Sequence, residues 1–101
     1  MLSKAMTKIL VVENHADMRE ILVRILDVMG FTAITSRNGR EGVEKALAEK
    51  PDLIVMDIMM PEISGREATR MLRSNPETKD VPVFRDASAL VVTIILSSHL
   101  R

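Results

Sequence analysis

The chain has 101 residues, enough for one domain, and its 47% hydrophobic content excludes global disorder. Fourteen basic residues balance fourteen acidic ones, and zero formal charge argues against a nucleic-acid binder held by bulk charge. No cysteine is present, which excludes disulfides and thiolate metal sites. The two histidines, His15 and His99, are far apart in sequence and argue against a zinc site, and two aromatics, Phe31 and Phe84, exclude a base-stacking platform. Met1 to Lys8 lacks the apolar core of a signal peptide. The longest uncharged run, Ala87 to Ser98, is twelve residues, against the ~20 that a membrane-spanning helix needs. A soluble, cytoplasmic protein without membrane contact is expected.

Ile9-Leu10-Val11-Val12 is a continuous apolar run, β-branched at three positions, which suits a strand buried on both faces. It ends abruptly in Glu13-Asn14-His15. Met18, Ile21, Leu22, Ile25, Leu26 and Met29 then recur at helical spacing, and Gly30 follows where a helix C-terminus favours glycine. Phe31 to Thr35 is short and β-prone. Asn38-Gly39 signals a helix entry with Asn38 as cap, and Val43, Ala46 and Leu47 carry a weaker stripe to about Lys50. Pro51-Asp52 breaks it. Leu53-Ile54-Val55-Met56 is a second buried-strand run and ends in Asp57. After Pro61 and Gly65 a third helix carries Ala68, Met71 and Leu72, and Asn75-Pro76 closes it. Val81 to Phe84 reads as a fourth, very short strand. The order βαβαβαβ implies a parallel sheet with helices on both faces.

Ligands of open parallel sheets bind beyond the carboxyl ends of the strands. Glu13 and Asp57 stand at two such ends. If those strands are neighbours, the carboxylates converge, and a hard cation such as Mg²⁺ would relieve their repulsion. A carboxylate beside such a cation can also attack phosphorus. The bland alternative is that both merely cap helices or solvate loop ends.

Two segments carry a family resemblance. Lys8-Ile9-Leu10-Val11-Val12-Glu13-Asn14, and Val55-Met56-Asp57-Ile58-Met59-Met60-Pro61-Glu62-Ile63-Ser64-Gly65, resemble the receiver domain of two-component response regulators. The resemblance spans residues 8–84 within a single domain, 1–101. It implies a flavodoxin-like, doubly wound α/β fold with strand order 2-1-3-4-5. It implies that Asp57 accepts a phosphoryl group from a histidine kinase or phosphotransfer protein. It implies a Mg²⁺ held by Glu13, Asn14, Asp57 and the backbone carbonyl of Met59, with Pro61 and Gly65 shaping the turn into the third helix. Such a chain is a signalling module rather than an enzyme, with no catalytic residues of its own.

The sequence departs from the family pattern at three points. Asn14 replaces the second acid of the pair, so weak Mg²⁺ binding is expected. Ala87, followed by Ser88, stands where the family has Ser or Thr. No lysine follows Lys79, so the family's phosphate-pairing lysine has no counterpart. These departures keep open an alternative: a pseudo-receiver that binds partners and is poorly phosphorylated. The sheet is expected to be incomplete after the fourth strand. The tail, 85–101, is β-prone over Val91 to Leu96, which favours a strand; a helix capped near Asp86 or Ser88 is the rival. As a strand it would form a hairpin on strand four or join a second chain in a homodimer. Several features carry bland readings: His15 as a solvated loop residue, most methionines as core filler, and Arg66, Arg70 and Arg73 as a solvated helix face.

Overall fold

The computed structural model describes residues 7–56, 64–85, 88–90, 92–93 and 96. Its elements are β1 (Lys8–Val12), α1 (Ala16–Val28), β2 (Thr32–Ser36), α2 (Gly39–Glu49), β3 (Leu53–Met56), α3 (Gly65–Arg73) and β4 (Val83–Phe84). The four strands form one parallel sheet in the order β2-β1-β3-β4. The apolar runs that mark β1 and β3 are buried on both faces because successive side chains alternate across the sheet. Ile9, Val11, Leu53 and Val55 meet Leu22 and Leu26 of α1 on one side. Leu10, Val12, Ile54 and Met56 meet Ala46 of α2 and Ala68 and Leu72 of α3 on the other.

The helix boundaries follow local chemistry. Asn38 caps α2, its Oδ1 accepting from the Glu41 N–H at 2.9 Å. Glu41 reaches back in turn, its Oε1 accepting from the Arg37 N–H. That hydrogen bond, together with the Arg37 guanidinium, holds the Glu41 carboxyl below the ordinary glutamate range, although partial burial pulls the other way. A carboxyl depressed in the folded state stabilises above its unfolded pKa, and that contribution fades as pH falls through the depressed value. Glu41→Gln should therefore lower the urea midpoint at neutral and alkaline pH and meet the parent in acid, which flattens the acid limb of a urea-midpoint-against-pH curve. At the other end of α2, Lys50 takes a left-handed φ of 50°, and after α1 Gly30 takes a φ of 91°.

The close seating of α2 rests on one residue. A Cβ built on Gly42 would lie 2.8 Å from Val12 Cγ2, 3.1 Å from Val12 Cγ1 and 3.3 Å from Ser36 Oγ. Valine is stiff at χ1, so Val12 cannot swing aside. The helix-propensity gain of Gly42→Ala, about 1 kcal/mol, is set against an overpacking cost of about 1–3 kcal/mol. We expect a net loss, read as a lower urea midpoint.

The tail corrects the strand expectation. Ser88, Ala89, Leu90, Val92, Thr93 and Leu96 are helical, and Thr93 Oγ1 donates to the Ala89 carbonyl at 2.9 Å, one turn back. Leu90 is 2% exposed and joins the α1-side core, beside which Phe84 packs. Helix-propensity differences among ordinary residues reach only about 0.7 kcal/mol, less than burying one leucine contributes. The rival helix is therefore the one observed, and Ser88 falls within it. The hairpin and the strand-mediated dimer both needed a strand there and lose their basis. The α1 stripe is also narrower than its sequence suggests: Leu22 and Leu26 are buried, whereas Met18, Ile21 and Ile25 are 40–50% exposed.

Candidate functional site

The site is built at the carboxyl end of β1. Val12 is in register with Ser36 of β2 and Met56 of β3. Glu13 follows and extends the pairing by one bond, its N–H donating to the Ser36 carbonyl at 3.1 Å. This holds the Glu13 backbone at the end of the sheet, where the residue is only 8% exposed. Its Oε2 accepts two hydrogen bonds, from the His15 N–H and from His15 Nδ1, each 3.1 Å. Arg19, one turn into α1, donates from Nη1 to the Glu13 carbonyl at 2.7 Å. The β1–α1 turn is thus tied at its backbone and at its carboxylate.

His15 occupies the N-cap of α1 yet makes no side-chain cap bond. Ser, Thr, Asp or Asn at that position would satisfy an orphan N–H. Its ring is spent on Glu13 instead, with the side chain 75% exposed. The expectation of a solvated loop residue holds for exposure and misses this contact.

Asn14 Oδ1 is buried and has no hydrogen-bond partner. A buried acceptor left unpaired costs about 1–3 kcal/mol. An orphaned amide oxygen next in sequence to a buried carboxylate matches the oxygen donors that hard divalent cations take. Glu13 and Asn14 therefore fit a divalent ion. Among the described residues no group of three or more His, Cys, Asp or Glu side chains is placed to hold a metal. Asn14 contributes an amide, which lies outside that set.

Asp57, Met59 and Pro61 lie outside the described residues, as does Ala87. Met56, the residue before Asp57 in sequence, is the cross-strand partner of Val12, so β3 adjoins the strand that delivers Glu13. Gly65 opens α3 as expected, and Ser64 caps that helix by accepting from the Glu67 N–H at 3.2 Å. Arg66, Arg70 and Arg73 form an exposed face, with Arg73 Nη1 donating to the carbonyls of Lys79 and Val81 at 3.0 and 2.7 Å. Of the methionines, Met56 is buried, Met29 packs against the core, and Met18 and Met71 are exposed.

Sequence reasoning missed two residues. Arg19 was visible only as a position off the apolar stripe, and nothing in the sequence links it to a carbonyl six residues earlier. Ser36 Oγ is buried without a partner under Gly42. An alternation pattern gives no signal for such a hydroxyl. An open groove of about 670 Å³ runs beside β2, lined in part by Asp17, Glu20, Val23, Thr35 and Lys45. It contains none of Glu13, Asn14 and His15.

Residues 9–93 match the Response regulator receiver domain family. The chain is 35% identical over 76 residues to the polar-differentiation response regulator DivK of Brucella anthropi, covering 75% of this chain and 62% of that protein. It is 38% identical over 79 residues to protein PilH of Pseudomonas aeruginosa, covering 78% and 65%. Among solved structures it is similar to the receiver domain of the sensor histidine kinase PA1611 from Pseudomonas aeruginosa PAO1, which has a magnesium ion coordinated in its active-site cleft. There the TM-score is 0.73 at 27% identity, covering 76% of this chain and 63% of the other. It is also similar to a chain in the complex of histidine kinase ThkA with response regulator TrrA, with TM-score 0.71 and 36% identity, covering 77% and 66%. The chain spans 62–65% of the length of the two curated relatives. The matching family covers most of the sequence, and the order β2-β1-β3-β4 follows the first four strands of the order 2-1-3-4-5 that the resemblance implied: the chain belongs to the response regulator receiver domain family.

Proposed function

We propose that this protein is a cytoplasmic receiver module that accepts a phosphoryl group on Asp57 from a partner histidine kinase or phosphotransfer protein. The observation that carries this reading is the buried Glu13 at the end of β1, whose preceding residue pairs with the residue preceding Asp57. In the transfer, a carboxylate oxygen of Asp57 bonds to phosphorus as the phosphorus–nitrogen bond of the donor's phosphohistidine breaks. The electron pair returns to the imidazole. Phosphoryl transfer depends mainly on positioning and charge neutralisation, which a bound Mg²⁺ supplies. Glu13, Asn14, Asp57 and the Met59 carbonyl are the residues that would hold that ion. Arg19 and the Glu13–Ser36 bond fix the turn that presents the first two. Magnesium in the PA1611 receiver domain, and the kinase bound to TrrA, support this reading by similarity.

Incubation with acetyl phosphate and Mg²⁺, followed by intact-mass measurement, tests it. The expected result is a phosphoryl adduct that disappears in Asp57→Ala. No adduct under forcing conditions leaves the pseudo-receiver, a binding module that keeps the fold. Asn14 is the feature that favours that second reading. Asn14→Asp restores a carboxylate and should tighten Mg²⁺ binding several-fold, as followed by NMR titration. Unchanged affinity would count against Asn14 as a ligand.

A further inference from the structure

β2 lies at one edge of the sheet and pairs with β1 alone. The Thr32 N–H donates to the Thr7 carbonyl, and the Ser36 carbonyl accepts from the Glu13 N–H. In an extended strand the N–H and C=O of one residue point to the same side, and those of the next residue to the other. Thr32, Ile34 and Ser36 therefore face β1, and Ala33 and Thr35 turn their backbone groups away from it. Among the described residues no hydrogen bond reaches Ala33 or Thr35 from that outer side. Natural sheets commonly blunt such an edge with a charge, a proline or a bulge. β2 reads Thr-Ala-Ile-Thr-Ser and runs residue for residue against β1, so it carries none of these. The groove of about 670 Å³ follows this edge: Ala33 and Thr35 line it, together with Asp17 and Glu20 from α1 and Lys45 from α2.

We propose that this groove takes an extended segment of a partner protein, basic and acidic by turns, which adds to β2 as a new edge strand. In such additions main-chain hydrogen bonds give affinity and alternate side chains give specificity. α1 covers one face of the sheet and α2 the other. Alternate side chains of an added strand face the α1 side and then the α2 side. Those on the α1 side meet Asp17 and Glu20 and should be basic; those on the α2 side meet Lys45 and should be acidic. Among the described residues no ion pair uses Asp17, Glu20 or Lys45, so all three are open to a partner. Arg19, also on the α1 wall, already donates to the Glu13 carbonyl. A second copy of this chain fits worse. A twofold axis that pairs β2 with β2 antiparallel keeps both α1 helices on one side of the joined sheet, and it sets Asp17 and Glu20 against the same two acids. The proposal does not depend on phosphoryl transfer, since the groove holds none of Glu13, Asn14 and His15.

Hydrogen exchange of the full chain, read amide by amide by NMR, is the test. In the free protein Ala33 and Thr35 should exchange fast, whereas Ile34 and Ser36 should be protected. The probe is a short capped peptide of alternating lysine and glutamate; the control has the same composition in two blocks, all lysine and then all glutamate. Once its concentration passes the Kd, the probe should slow exchange at Ala33 and Thr35 about twofold or more and affect Ile34 and Ser36 less. The block peptide should bind several-fold more weakly. Asp17→Asn and Lys45→Gln should each weaken the probe about two- to fivefold, as the loss of an exposed ion pair does. Thr35→Pro removes an outward N–H, a place where an edge strand tolerates proline, so it should fold and lose the probe. No added protection at Ala33 and Thr35 with millimolar probe overturns the proposal, as does unchanged binding to Thr35→Pro. Equal binding of the block peptide, or unchanged binding to both Asp17→Asn and Lys45→Gln, overturns the chemistry assigned to the partner. Protection of Ala33 and Thr35 that rises with protein concentration in the absence of peptide gives the edge to a second copy and overturns it as well.

Discussion

Ile54→Ala is expected to destabilise the protein by about 2–5 kcal/mol, out of a total that for domains of this kind is about 5–15 kcal/mol. Ile54 is fully buried in β3, between Leu10 of β1 and Val83 of β4. It faces the layer formed by α2 and α3, where the buried helix residues of the core cluster are Ala46, Ala68 and Leu72. Two of those three are alanines, which have no flexible side chain to fill a void. A cavity left by Ile54 should persist, placing the cost toward the upper part of the range. Ile54→Val, which removes a single methylene, should cost about 0.5–1.5 kcal/mol. Urea denaturation of both variants gives the comparison, and near-equal midpoints would mean that the helices collapse onto the gap.

The second large effect concerns the tail. Leu90→Ala should cost about 2–5 kcal/mol because Leu90 is 2% exposed in the core cluster with Leu22, Leu26 and Val55. Val92→Ala, two residues on and 54% exposed, should change stability by no more than about 0.5 kcal/mol. The contrast distinguishes a helix docked through one side from a tail that merely follows the domain. Equal and small effects in both variants would show the docking to be dispensable. Leu90→Asp sharpens the test, since an unpaired buried carboxylate would drive the segment off the sheet and expose the α1-side core.

The seven elements from β1 to β4 were legible because their signals are local. Ile9 to Val12 and Leu53 to Met56 are unbroken apolar runs, and Asn38, Gly30 and Pro51 punctuate the helices with residues suited to caps and turns. The tail was misread because β-branching at Val91 to Ile95 is a propensity, and the docking of Leu90 outweighs it. The width of the α1 stripe was misread for a related reason. Periodicity finds which residues share a side of a helix, but burial depends on what packs opposite, and within α1 only Leu22 and Leu26 are buried. At the candidate site, Glu13 was legible from its place after a strand. The contacts that shape it, from His15 and Arg19, depend on a turn whose path no spacing rule specifies.

The central place of β1 has a consequence for synthesis. β1 emerges from the ribosome before its neighbours, yet it pairs with β2 on one edge and β3 on the other. Parallel neighbours are reached only through crossovers, so no hairpin can shield Ile9 to Val12 early. At translation rates of about 5–20 residues per second, the interval before β3 is complete is on the order of seconds. Throughout it the edge of Ile9 to Val12 that β3 will pair stays open. An open strand edge is a template for wrong pairing, so slowed translation between β2 and β3 should raise aggregation without altering the finished protein.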